Sequence, residues 1–256
     1  MTGTSTREIL SVAIRGVQNA GDLLLRYWND ASALELKNED DLATIFSKAD
    51  IESERVIVEC IKTKFPTHGI NAEQEHINTN TTEYAWFIDP LDGTLNYLRN
   101  IPLFGVSIGV THKGEPICGV LYFPALKLLV RAEKGKGAFA NDKLISVSKR
   151  TLQTSLYYAG GKFRGVLQVD PVIVDKAGFL KVIDASSYEF AQIAMGNAEV
   201  YYLANVPHDV VAGVCIVHEA GGRITDEKGQ PWSLTSEYIL VTNGVIHDDL
   251  VQALNS

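Results

Sequence analysis

The sequence predicts a mixed α/β (α+β) protein. Three features carry that expectation: apolar residues at helical spacing near the N-terminus, short aromatic and β-branched runs joined by turns in the middle, and strand patterns alternating with helix patterns after about residue 150. Ser5-Thr6-Arg7-Glu8 reads as a capping box, followed by Ile9, Ala13, Ile14, Val17, Ala20, Leu24 and Trp28 on one helix face. The polar segment Lys37–Asp41 breaks the pattern and reads as a loop. A second helix is expected from near Asp50 through Ile51, Val58 and Ile61 to Phe65, ending before Pro66.

Tyr84–Ile88 is a buried-strand pattern that stops at Asp89-Pro90. Phe104–His112 and Ile117–Phe123 flank Lys113-Gly114-Glu115-Pro116 as a hairpin, and Leu128–Ala132 follows as a strand before the turn Gly135-Lys136-Gly137. Further on, Ser186-Ser187-Tyr188-Glu189 reads as a second capping box, opening a helix that ends near Gly196. Another helix starts near Asp209 and closes at Gly221-Gly222. With no internal repeat or Pro/Ser-rich linker, residues 1–256 read as one domain, antiparallel-rich over about 1–150 and alternating over about 151–256.

Composition narrows the function. The chain has 256 residues, 46% of them hydrophobic, enough for a sizeable core. Its formal net charge is −8 and no Lys/Arg stripe is present, which argues against nucleic-acid and acidic-membrane partners. An acidic protein that handles an anionic substrate needs another source of positive charge, and a bound cation is the simplest. Cys60, Cys118 and Cys215 lie too far apart in sequence for a zinc knuckle, and read as small hydrophobes in a reducing compartment. No signal-peptide pattern and no apolar stretch of about 20 residues is found, so the expected location is the cytoplasm.

The most informative segment is Asp89-Pro90-Leu91-Asp92-Gly93-Thr94, where a buried strand leaves the sheet. Turned by Pro90 and Gly93, its two carboxylates can point into one cleft. Mg²⁺ wants oxygen ligands at about 2.0–2.1 Å. The segment supplies two carboxylates, the Leu91 carbonyl and the Thr94 hydroxyl, and Gly93 lets backbone N–H groups approach a phosphate. The plainer alternative is a tight turn with Asp89 as a cap and Asp92 solvated. A haloacid-dehalogenase-type D-x-D-G-T motif, with its Asp nucleophile, does not fit, because a proline and a different spacing separate these carboxylates.

Together with other segments, this motif resembles the inositol monophosphatase family, the lithium-sensitive Mg²⁺ phosphatases related to fructose-1,6-bisphosphatase. Ser47-Lys48-Ala49-Asp50 is similar to the family's (T/S)-x-x-D element, and residues 65–73 (FPTHGINAE) to its segment ending in a metal-ligating Glu. Residues 86–96 (WFIDPLDGTLN) are similar to its principal motif, and 208–213 (HDVVAG) to its W-D-x-A-A-G signature. The resemblance covers nearly the whole chain and implies a layered αβαβα sandwich. By that match Glu73, Asp89 and the Leu91 carbonyl hold one Mg²⁺. Asp89, Asp92 and Asp209 hold another, and a third, weaker ion sits near Glu73. Thr94 with Asp50 activates the attacking water, Glu73 belongs to the same catalytic group, and Gly93, Thr94 and Asp209 meet the phosphate or substrate. A homodimer is implied as well.

Carboxylates brought to about 4 Å of one another repel by several kcal/mol even at an effective dielectric near 20, so such a cluster needs cations. Metals also answer the slowness of phosphate-monoester hydrolysis, by lowering the pKa of water and stabilising the attacking and leaving oxygens. Several assignments have competitors. Asp209 opens a helix, whose dipole favours a carboxylate without any metal. Glu75 is an alternative to Glu73. His68 and His208 flank proposed ligands but suit Mg²⁺ poorly and read as structural. Glu39–Asp41 reads as a solvated loop, and Lys37 and Arg164 are candidate anion contacts.

Some positions depart from the family pattern. His208 stands where tryptophan is usual, the G-S-A segment reads Asp184-Ala185-Ser186, and the Glu that commonly binds inositol hydroxyls falls near Leu203. The resemblance still implies hydrolysis of a small phosphorylated polyol such as inositol monophosphate, with the hydrolysis better marked than the alcohol that leaves. Fructose 1,6-bisphosphate, 3′-phosphoadenosine 5′-phosphate and histidinol phosphate are alternatives on the same fold, and a non-catalytic metal- or phosphate-binding protein is a third reading.

Overall fold

A computed structural model describes residues 5–28, 48–73, 76–77, 82–163, 166–168 and 170–256. Lys37, Glu39–Asp41, Ser47, Glu75 and Arg164 lie outside them. Two N-terminal helices, α1 (Thr6–Tyr27) and α2 (Lys48–Lys64), are followed by β1 (Gly69–Ala72), β2 (His76–Ile77), β3 (Tyr84–Asp92) and the short α3 (Thr94–Leu98). The strands β4 (Gly105–His112), β5 (Glu115–Phe123), β6 (Leu128–Glu133), β7 (Ala138–Ala140) and β8 (Lys143–Ile145) complete an eight-stranded sheet in the order β2-β1-β3-β4-β5-β6-β7-β8. Only its β1–β3 pair is parallel.

The second half contributes β9 (Leu156–Phe163), β10 (Val166–Gln168), α4 (Pro171–Lys176), β11 (Phe179–Lys181), α5 (Ser186–Ala194) and β12 (Val200–Ala204). It continues with α6 (Pro207–Glu219), β13 (Arg223–Thr225), β14 (Tyr238–Thr242) and α7 (His247–Leu254). Its sheet runs β10-β9-β12-β14-β13, with β11 also on β9. β9 pairs in parallel with β11 and β12, while the β12–β14 and β13–β14 pairs are antiparallel.

Packing produces five layers. Ile9, Val17, Leu24, Ile57 and Ile61 of α1 and α2 join Trp86, Ile88, Val106, Ile108 and Val110 in a first core. A second core joins the other face of that sheet to α5, α6 and the second sheet. A third joins the far side of the second sheet to α4 and α7 through Tyr157, Ile173, Val200, Leu240 and Leu250. The order is therefore αβαβα. A helix between two sheets must be apolar on both sides, and α6 is buried without interruption from Val210 to Val217.

Several local expectations change. Ser5 makes no side-chain cap; its carbonyl receives the N–H groups of Glu8 and Ile9 instead. The hairpin loop is tighter than expected, with only Lys113 (φ 55°) and Gly114 (φ 84°) between the strands. α6 begins two residues before Asp209, because Pro207 suits the first helical position. β3 does not stop at Asp89-Pro90 but continues to Asp92 through a bulge.

The backbone of α6 lies very close to the first sheet. Gly109 and Gly119 are cross-strand partners, and a Cβ on either would strike the backbone of Ala212. Their lack of side chains lets α6 lie directly on β4 and β5, with Asp209 one turn upstream of Ala212. We expect Gly119→Ala to cost about 1–3 kcal/mol through overpacking, seen as a lower midpoint in denaturant unfolding. An unchanged midpoint would mean that α6 is free to shift.

Candidate active site

In a regular strand, residues three apart face opposite sides of the sheet. Asp89 and Asp92 escape this because Asp89 pairs with Ser107 and Asp92 with Gly105, so the β3 side holds one residue more than its partner. The bulge restores parity, and both carboxylates lie on the face that carries Gly109 and receives α6. Pro90, which has no N–H to offer the ladder, sits inside the bulge. The Leu91 N–H donates to Asp89 Oδ1 (3.0 Å), and Thr94 Oγ1 donates to the Leu91 carbonyl (2.9 Å). Gly93 follows at φ 78°, where a Cβ would come within 2.7 Å of the Leu103 carbonyl. Only glycine fits this turn.

Four other acids come to the same end of the sheet. Asp50 lies in the first turn of α2 with 1% exposure, Glu73 directly follows β1, and Asp209 is in the first turn of α6. Glu54, one helical turn after Asp50, is 3% exposed. The charges that raise Asp89, beyond burial, are those of Asp92, Asp209, Glu73 and Asp50, carboxylates without exception. Asp50 is pushed to about 8 by burial, then by Glu73 and Glu54. Glu73 is pushed to about 7 by burial, Glu54 and Asp92. Asp209 sits at a helix N-terminus and keeps 31% side-chain exposure, yet desolvation and then Asp92 and Glu73 raise it well above the usual carboxylate range.

Asp92 is committed elsewhere. Oδ1 accepts from the Ser186 N–H (3.0 Å) and Ser186 Oγ (3.2 Å), and Oδ2 accepts from the Ser187 N–H (2.8 Å) and Ser187 Oγ. Burial still pushes Asp92 up against these bonds. The expected capping box of α5 is therefore absent: the cap is a carboxylate from a distant strand. Glu189 instead turns inward, accepts from the Ile183 N–H (3.2 Å), and is raised by burial to about 8. The Ile183 carbonyl accepts from Asn96 Nδ2 (3.0 Å), tying this segment to α3. Asp184 adopts φ 62°, so the backbone conformation that suits the glycine of the expected G-S-A pattern persists without the glycine.

The profile of the inositol monophosphatase family matches residues 5–256. The chain belongs to the inositol monophosphatase family. Its members are phosphatases, that is, phosphoric monoester hydrolases. A fructose-1,6-bisphosphatase/inositol-1-monophosphatase from Thermotoga maritima is 29% identical over 248 residues, covering 96% of this chain and 95% of the relative. A Nus factor SuhB from Xylella fastidiosa is 33% identical over 230 residues, 86% and 82% of the two chains. The inositol monophosphatase structure from Anabaena superposes with a TM-score of 0.86 at 33% identity, covering 98% of this chain and 97% of that one.

The inositol monophosphatase architecture thus brings Asp50, Glu73, Asp89, Asp92 and Asp209 into one electrostatic neighbourhood, with Leu91, Gly93 and Thr94 on the bulged turn between them. Among the described residues, no three His, Cys, Asp or Glu side chains close around one point as an ion would require. The donor chemistry nevertheless fits a hard divalent cation: every group is an oxygen, and the charges acting on Asp89 are all negative. Thr94 gives its proton to Leu91, not to Asp50, so any joint work on a water uses the Thr94 oxygen as acceptor. His68 accepts from Trp86 Nε1 (3.0 Å) and stacks between Phe65 and Tyr84, away from any ligand role. Leu203 packs in the second core and offers the cleft no polar atom. His208 Nε2 lies 3.3 Å from Asp209 Oδ1.

Sequence reasoning missed Glu54, whose signal was its spacing of one helical turn from Asp50. It also missed the Ser186–Ser187 pair as the partner of Asp92, which no local pattern announces. Because Asp50 and Glu73 hold their protons to higher pH when folded, stability without metal falls as pH rises between about 4 and 8. In chelator, the denaturation midpoint is expected to be lower at pH 8 than at pH 5, with Mg²⁺ removing most of the difference. A midpoint that climbs over that range in chelator would contradict the electrostatics described.

Proposed function

We propose that this chain is a Mg²⁺-dependent phosphomonoesterase acting on a small phosphorylated polyol such as inositol monophosphate. The observation that carries the reading is the bulge in β3, which turns Asp89 and Asp92 to one face inside a group of acids that repel one another. Glu73, Asp89 and the Leu91 carbonyl would hold one ion; Asp89, Asp92 and Asp209 would hold a second, and a third would sit near Glu73. The ions supply positive charge to the phosphoryl oxygens and lower the pKa of the attacking water.

The chain's own residues do the rest. Asp50, buried in the first turn of α2, would take a proton from the attacking water. The Thr94 oxygen, its own proton engaged by Leu91, accepts from that water and orients it. The Gly93 and Thr94 amides, beside a position where no Cβ fits, grip the phosphate. Asp209 faces the substrate from the partly exposed start of α6.

With Leu203 buried, hydroxyl recognition falls to other groups, which supports a broad polyol preference rather than a strict one. The Thermotoga relative, named for both fructose bisphosphate and inositol phosphate, agrees with that breadth. A binding-only role, raised by the name of the Xylella relative, does not require a water-activating Asp50–Thr94 pair. We infer a homodimer from the resemblance. The cytoplasm is supported by three free thiols, and among the described residues no helix is long and apolar enough to cross a membrane.

Phosphate release should be measured with and without Mg²⁺ on inositol monophosphate, fructose 1,6-bisphosphate, 3′-phosphoadenosine 5′-phosphate and histidinol phosphate. We expect release that needs Mg²⁺, is inhibited by Li⁺, and is fastest on a polyol phosphate. Asp89→Asn should lower kcat/KM by on the order of 100-fold or more, since losing even an outer partner of a ligand costs up to that much. Full activity in that variant would remove the metal assignment, and release without added or bound metal would remove the mechanism.

A further inference from the structure

Asp92 is 7% exposed, and its carboxylate is saturated. A carboxylate offers about four lone-pair directions. Here four donors take them: on Oδ1 the N–H and hydroxyl of Ser186, and on Oδ2 the N–H and hydroxyl of Ser187. The two amides belong to the first turn of α5 and come with the fold. The two hydroxyls do not. They are side-chain choices, and each closes a direction that the amide leaves open.

The seat itself is firm. Ala185 lies against Gly93, where a Cβ would come within 3.2 Å of the Ala185 Cβ, and Asn96 Nδ2 ties the Ile183 carbonyl to α3. Removing a hydroxyl would therefore leave the carboxylate in place, held by one amide on each oxygen, with a lone pair released.

We propose that Ser186 and Ser187 are positioning residues that hold Asp92 in a resting orientation against α5 and so weaken the divalent-cation site to which Asp92 contributes. This rests on the reading of Asp92 as a ligand. A cation arriving between Asp89, Asp92 and Asp209 must displace at least one serine hydroxyl. Because a hydrogen bond to a charged group is among the stronger ones, each hydroxyl lowers affinity at that site by about tenfold. The serine pair would keep this ion exchangeable, its occupancy following the cation concentration around the protein, while a site built on Glu73, Asp89 and Leu91 stays filled.

The test is a Mn²⁺ titration of the full chain, with free ion counted by electron paramagnetic resonance. It compares the wild type, Ser186→Ala, Ser187→Ala, the double alanine variant, Ser186→Thr and Asp92→Asn. We expect the Mn²⁺ site to which Asp92 contributes, recognised by its loss in Asp92→Asn, to tighten about tenfold in at least one single variant and further in the double, while Ser186→Thr, which keeps a hydroxyl, returns to the wild-type affinity. Melting in chelator is followed in parallel. A purely structural role would lower the melting temperature of the alanine variants and leave Mn²⁺ affinity unchanged or weaker, and that outcome overturns the proposal. Wild-type protein that binds no Mn²⁺, or binds it undiminished after Asp89→Asn, overturns the underlying metal reading instead. The two failures are distinct, because the first still shows a cation site.

Discussion

Buried like charges have to be held together by something stronger than their repulsion, and here that is the packing of two sheets around a central helix layer. Asp50, Glu73, the Asp89–Asp92 pair and Asp209 come from four separate places in the chain. Each is carried by an element whose apolar side is locked in a core: α2 on one face of the first sheet, α6 on the other, and β1 and β3 within it. The cores supply the stabilisation that the acids subtract. Burial, and then their mutual negative charge, raises the proton affinities of these acids.

Two small backbone devices set the geometry. A single extra residue in β3 brings Asp89 and Asp92 to one face, and the facing glycines Gly109 and Gly119 let α6 close onto the sheet so that Asp209 reaches the same end. Neither device concerns a catalytic side chain. Both decide where the acidic side chains stand, and both leave little slack, since the sheet at Gly109 and Gly119 would have to move to admit even a methyl group.

The N-terminus of α5 shows how a charged site is balanced between uses. Asp92 serves as the cap of that helix while remaining within electrostatic reach of Glu73, Asp89 and Asp209. Glu189, which the local pattern assigns to capping, sits inside the protein, its proton affinity raised by burial, and accepts from the Ile183 N–H. The Asp92 carboxylate thus joins the acidic cleft to the first turn of a neighbouring helix.

By itself the sequence determined the mixed α/β class, the main helices and strands, and the resemblance to a phosphatase family. Hydrophobic period, turn residues and a dense carboxylate motif are local signals, readable within ten or twenty residues of chain. The bulge lay in the same segment but read as the end of a strand, because Pro90 and Gly93 give the same signal for a stop and for a kink. Only the tertiary structure decided which acids meet. It placed Glu54 beside Asp50 and Glu73, turned Leu203 into the core, and gave the α5 cap to Asp92 in place of Glu189. Those outcomes depend on the register between β3 and β4 and on the approach of α6 to glycine. They are set by packing between residues far apart in the chain, which no short window of sequence contains.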